Sequence, residues 1–331
     1  MSNNAIIQEL KRLGYQTIPD TFYNQVAVWH SWYAGDVKNF HQYKRYNGNK
    51  WVKCRRATLG MGKKVCEDWA NLLMNEKVQI TLEGQKEQAF IDRIFAENNF
   101  SVKANEMQEM KSALGTVAYV PRVVGQEISE TGEVVTGGAA GIVLDYVTIE
   151  NIFPLSWENG VIRECAFSSA VARDGRDYIY LQIHKKENDG TYTVENRIYR
   201  YDNDVLSEEK LSNVSGFEHI PPMIRTGSRR RQFVIDRPNI ANNVDYRLPV
   251  GIAVFANAID ALRGVDSAYD CYVNEFENGP MLLAVKMPAT KWEDGEPTID
   301  AGDRRFYILP EDATQGNVIE PISPPLRTEK L

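Results

Sequence analysis

The sequence predicts an α+β protein whose helices and strands come in blocks and do not alternate. Three observations carry this. Residues 60–114 hold runs of apolar residues at helical spacing, residues 116–201 alternate with a period of two between turn-forming pairs, and residues 249–278 return to helical spacing over one long run. With 331 residues, 43% hydrophobic and 25% charged, the chain is long enough for one large domain or several small ones with a real core.

The N-terminal MSNNAIIQELKRLGY lacks the apolar stretch of a secretion signal and reads as a short amphipathic helix, so synthesis in a cytoplasm is expected. Pro19-Asp20 reads as a turn. Residues 32–58 are rich in aromatics (Trp32, Tyr33, Phe40, Tyr43, Tyr46, Trp51), and Asn47-Gly48 is a tight-turn pair.

The next stretch, Gly60-Met61-Gly62-Lys63-Lys64, looks like part of a phosphate-binding loop. Such a loop needs Ser or Thr after the lysine, a glycine six residues before that lysine, and a strand ahead. Here the hydroxyl is missing, the upstream glycine is misplaced, and no Walker-B-like strand ending in Asp is evident. The glycines therefore read as a helix start, with Val65, Trp69, Leu72 and Leu73 as the buried face and the lysines on the wet side. A nucleotide-binding enzyme using Gly60–Lys64 is the alternative from a different class.

A second helix over residues 83–99 puts Phe90, Ile91, Ile94 and Phe95 on one side. A third, from about Ser101 to Leu114, carries Met107, Met110 and Leu114 and stops at Gly115. TVAYVPRVV and GIVLDYVTI then read as strands. ENGV (158–161) and NDG (188–190) are turn signals around RDYIYLQIHKK and TYTVENRIYRYD, which predicts an antiparallel meander with one face buried. Residues 212–247 read as a loop. Pro249 reads as the first residue of a helix to Asn278, with Gly279 as its stop; the run of about 28 residues makes a rod of roughly 40 Å. Its apolar stripe is Ile252, Phe255, Ile259, Leu262, Val265, Tyr269, Tyr272 and Phe276. Short strands and prolines follow to residue 326.

The composition narrows function. Lys and Arg number 38 against 45 Asp and Glu, a net charge of −7, so the chain lacks the basic excess of a tight nucleic-acid binder. No run of about 18 apolar residues is present to span a membrane. Cys54, Cys66, Cys165 and Cys271, with His30, His41, His184 and His219, show no metal-ligand spacing. No catalytic constellation, cofactor motif or metal motif is visible, and the expectation is a protein that is not an enzyme. One charged cluster stands out: Arg225, Arg229, Arg230, Arg231 and Arg237, a candidate for phosphate or subunit contact.

Four stretches, WYAGDVKNFHQY, RRATLGMGKKVCEDWANLLMNEKVQI, RPNIANN and PVGIAVFANAIDALRGVDSAYDCYVNEFENG, occur in an order and spacing that resembles the portal (head–tail connector) proteins of tailed phages and prophages of Gram-positive bacteria. The resemblance covers roughly residues 30–331. It implies a portal-like fold: an N-terminal segment (1–30), a wing of helices and antiparallel meander (31–247), a stem helix (248–279), a small β clip (280–326) and the start of a second stem helix (327–331). It also implies a ring, usually of twelve copies, at one capsid vertex. DNA is packaged and ejected through that ring, which nucleates head assembly. The implied partners are further copies of the chain, the large terminase, the major capsid or scaffold protein, a head-completion adaptor, and double-stranded DNA passing without sequence specificity; no membrane is involved. The implied location is the virion, with assembly in the host cytoplasm. Within that frame Asp260, Asp266, Asp270, Glu275 and Glu277 are candidates to face a channel whose acidic wall repels the DNA backbone. Another phage minor head protein is the runner-up. Family members continue with the rest of the second stem helix, a tunnel loop and a crown, so this sequence is expected to be a designed fragment, a partially represented chain or a decayed prophage gene.

Overall fold

A computed structural model describes residues 3–46, 50–74, 78–129, 131–135 and 141–278, and beyond them five short strands within 282–322. In chain order the elements are α1 (Asn3–Arg12), α2 (Asp20–Tyr33), β1 (Gln42–Tyr46), β2 (Trp51–Arg55), α3 (Met61–Leu73), α4 (Gln85–Glu97), α5 (Phe100–Leu114), β3 (Val117–Val124), β4 (Glu127–Ile128), β5 (Val134–Val135), β6 (Gly141–Thr148), β7 (Ile152–Glu158), β8 (Val161–Arg173), β9 (Arg176–Lys186), β10 (Tyr192–Asp202), β11 (Val205–Glu209), β12 (Met223–Arg225), β13 (Val234–Asp236), α6 (Ile259–Asn278), β14 (Leu282–Lys286), β15 (Trp292–Glu293), β16 (Glu296–Pro297), β17 (Phe306–Leu309) and β18 (Ile319–Ile322). The fold is α+β. Two units form, one from residues 1–38 and 60–260, the other from residues 39–59 and 261–331.

The first unit is built on the antiparallel meander β7–β8–β9–β10–β11, with β12 also paired to β10. Three of its connections are two-residue hairpins in which both residues have positive φ: Asn159-Gly160 (51° and 73°), Asp174-Gly175 (50° and 71°) and Asn203-Asp204 (49° and 62°). That is the turn whose twist matches paired strands, and Asn, Asp and Gly tolerate it best. The meander is covered on both faces, not one. Ile179, Leu181 and Ile183 are buried on one side, while Tyr178 and Ile198 on the other pack with Leu211, Val214 and Phe217 from the segment after β11. Tyr23 of α2 ties the helices to the sheet, donating to the Ile152 carbonyl at 2.7 Å and lying 5.5 Å from the Phe153 ring. Pro19-Asp20 thus opens helix α2 and is not an isolated turn.

A second antiparallel sheet, β13–β3–β6, packs against α5, which in turn receives α2, α3 and α4. The residues after β13 correct the expected helix start. Val250, Ile252, Ala253 and Phe255 are buried in non-helical chain, and α6 begins only at Ile259 after a 3-10 turn at Ala256–Ala258. The cause is a backbone seam. The Gly251 amide donates to Thr116 Oγ1 at 2.9 Å and the Val254 amide to the Ser112 carbonyl at 2.9 Å. A Cβ on Gly251 would meet the Gly115 carbonyl oxygen at 2.3 Å, so only glycine lets the two chains approach. The helix has 20 residues, roughly 30 Å of rod.

The second unit holds the β1–β2 hairpin, α6, and a small sheet ordered β17–β14–β18, in which β14 runs parallel to β17 and antiparallel to β18. Asn47-Gly48, Gly279 and residues 327–331 lie outside the described residues, as does the rest of 280–326 apart from its strands.

Candidate functional site

The Gly60–Lys64 stretch forms a helix start and a close packing joint. Gly60 has φ +68°, and a Cβ on Gly62 would lie 2.7 Å from the Trp32 carbonyl oxygen at the end of α2. Both lysines have carboxylate partners. Lys63 bonds Glu109, which also accepts from the Tyr33 hydroxyl at 2.6 Å, and Lys64 pairs with Asp68 at 2.8 Å. Burial and then the Glu109 bond raise the Tyr33 hydroxyl to about 12. The expected buried face of this helix is overturned. The residues turned inward are the small ones, Gly62, Cys66 and Ala70, while Trp69 is 51% and Leu72 68% exposed and Leu73 is exposed too. Helices that meet at such close range need small side chains between them, so the bulky stripe lies outside the contact. Burial pushes the Cys66 thiol up to about 12, so it is an inert packing group.

The arginine cluster does not act as one patch. Arg225 Nε donates to the Thr131 carbonyl at 3.3 Å, and Arg231 donates to the Ile162 carbonyl at 2.5 Å with its guanidinium 5.4 Å from the Phe233 ring centre. Arg229, Arg230 and Arg237 are exposed, and none is within ion-pair distance of a carboxylate among the described residues.

The five acids of the α6 region also divide. Asp260 and Glu277 are exposed and Glu275 is half-buried. Asp266 is buried and is withdrawn as a channel-facing candidate. Its Oδ2 bonds His41 Nε2 at 3.0 Å and accepts from Thr58 Oγ1 at 3.1 Å, and its Oδ1 accepts from the Leu59 amide at 2.9 Å. Asp270, one turn on, accepts from the Ala57 amide at 2.8 Å and lies 3.6 Å from Arg56 Nε. A buried carboxylate must find several donors, and the i,i+4 spacing puts both on one helix face to pin the hairpin segment. Arg56 extends the lock over the Phe40 ring at 4.3 Å, and Arg263 approaches the same ring at 5.3 Å. Another α6 face is apolar and open: Ala261, Val265, Ala268, Tyr272 and Phe276 follow one another at three- and four-residue steps, and all are exposed.

A cleft of about 1160 Å³ lies in the first unit between the end of β3 and the β9–β10 face. Tyr180 donates to Asn196 Oδ1 at 2.7 Å and accepts from Gln182 Nε2 at 3.1 Å along its floor. Beneath them His184 lies edge-on to Phe167 and Phe233, with neither ring nitrogen hydrogen-bonded. Its burial lowers the imidazole to about 4, so it is neutral at pH 7. Among the described residues, no group of three His, Cys, Asp or Glu could hold a metal ion, and no helix is long and apolar enough to cross a membrane.

The sequence did not reveal the Asp266 lock, because His41 and Thr58 lie 225 and 208 residues from it in the chain. The i,i+4 aspartate pair was the available signal. The chain matches no protein-family model, and no curated protein is significantly similar to it.

Proposed function

We propose that this chain is a subunit of a ring-forming portal at the vertex of a tailed-phage head. The observation that carries the reading is the open apolar stripe of α6 from Ala261 to Phe276. A helix with such a stripe is left incomplete by its own chain and is completed by a neighbour packed alongside. The exposed Asp260 and Glu277 then belong to the wet part of the same rod, and the net charge of −7 suits a conduit that DNA slides through without being held. The block order of helices, meander, long helix and small strands agrees with the resemblance of the four sequence stretches. In this role the chain has no catalytic step. Its partners are its own copies, the large terminase, the capsid or scaffold protein, the tail adaptor and passing duplex DNA.

Light scattering with negative-stain imaging tests the reading. A closed ring of about a dozen copies with a central hole is the expected outcome. A monomer at every concentration overturns it. A closed ring also separates a portal from other minor head proteins.

A further inference from the structure

We infer that the α3–α4 face of one copy receives the basic segment 229–246 of the next copy, a head-to-tail contact that deepens, and rests on, the ring reading above.

The first surface is apolar and acidic. Trp69, Leu72 and Leu73 of α3, then Val78, Ile80 and Leu82, then Phe90 of α4 and Val102 of α5 are all exposed large hydrophobics, most of them near half. The 80–82 segment is strapped to α4 by Gln88, which accepts from the Leu82 amide at 2.6 Å and donates to the Ile80 carbonyl at 3.2 Å. At ~150 Å² for each fully exposed large side chain, eight half-exposed ones present on the order of 600 Å² of apolar area. Acids outnumber bases on these elements: Glu67, Glu83, Glu87 and Asp92, against Lys86, have no oppositely charged partner within ion-pair distance among the described residues.

The second surface has the opposite charge and its own apolar residues. Arg229, Arg230 and Arg237 are exposed without carboxylate partners among the described residues, and Val234, Ile240, Val244 and Tyr246 follow, with Tyr246 86% exposed. Tyrosine and arginine beside aliphatics are the residues that dominate interface cores. The two surfaces differ in composition and charge, so each complements the other and not itself. Such a contact is heterologous, and repeated around an axis it closes a ring.

The test uses the full chain. Leu73→Glu with Phe90→Glu on one surface, and Ile240→Asp with Tyr246→Asp on the other, change exposed side chains, so each protein should keep its wild-type far-UV circular dichroism spectrum. Each pair is expected to reduce the particle to the 37.6 kDa monomer. Leu73→Cys and Tyr246→Cys, each in a Cys54→Ser, Cys271→Ser background, should form oxidised dimers when mixed and not alone. Rings that survive either acidic pair overturn the contact and leave the portal reading standing. Leu73→Cys cross-linking to itself overturns the head-to-tail arrangement. Patch-dependent open chains with no central hole support the contact and overturn the ring. A wild-type monomer overturns both.

Discussion

The β7–β11 meander and the α3–α4 helices lie in one unit and use similar apolar side chains, yet they place them in opposite ways. The meander encloses Ile179, Leu181, Ile183, Tyr178 and Ile198 on its two faces. Helix α3 turns Gly62, Cys66 and Ala70 inward and leaves Trp69, Leu72 and Leu73 in water, and of the α4 residues only Ile94 is buried. The difference shows that hydrophobicity alone does not mark the inside. A sheet needs bulk on its faces to fill the roughly 10 Å to the next layer, whereas helices meeting at close range need small residues at the contact and keep their bulk for another surface.

Four experiments break or sharpen that contrast. Phe153→Ala, emptying a fully buried site beside Tyr23, should cost about 4 kcal/mol in denaturant unfolding. A loss under about 1 kcal/mol would mean that the meander core is not closed. His184 should make the same core acid-sensitive. Its folded value of about 4 lies below the ordinary 6.5, so the unfolded chain takes up the proton first as pH falls. Stability is then full above pH 6.5 and declines by about 3 kcal/mol as pH drops towards 4, a slope that His184→Phe should remove from a pH series of melting curves. Ala70→Leu, adding bulk to the small face of α3, should cost about 2 kcal/mol by thermal melting. Leu72→Gln, on the bulky face of the same helix, should change the stability of the isolated chain by less than ~0.5 kcal/mol. If the last two exchanged magnitudes, the assignment of faces would be reversed.

The meander was legible because alternation and turn residues are local signals. Asn159-Gly160 and the NDG turn announce their hairpins, and Asp174-Gly175 carries the same signal between two strong strands. Face assignment on α3 was not legible. Periodicity groups Val65, Trp69 and Leu72 together but does not say which of two faces meets α5. The early helix start failed for a related reason. Ile252 and Phe255 are spaced like a helical stripe, but the Gly115–Gly251 seam holds them in buried non-helical chain. Among the candidate sites, the sequence pointed to the acids of α6 but not to their division, because the donors that claim Asp266 and Asp270 come from the distant 41–59 segment.

That segment has a consequence for how the protein is made. The β1–β2 hairpin leaves the ribosome early, but Asp266 follows His41 by 225 residues. At ~5–20 residues per second the hairpin waits roughly 10–45 s for the helix that pins it. Through that interval Phe40 and Tyr43, buried and half-buried in the finished protein, have no unit to join, so a nascent chain halted before Asp266 should present them to a chaperone, and one extended past Asp270 should not.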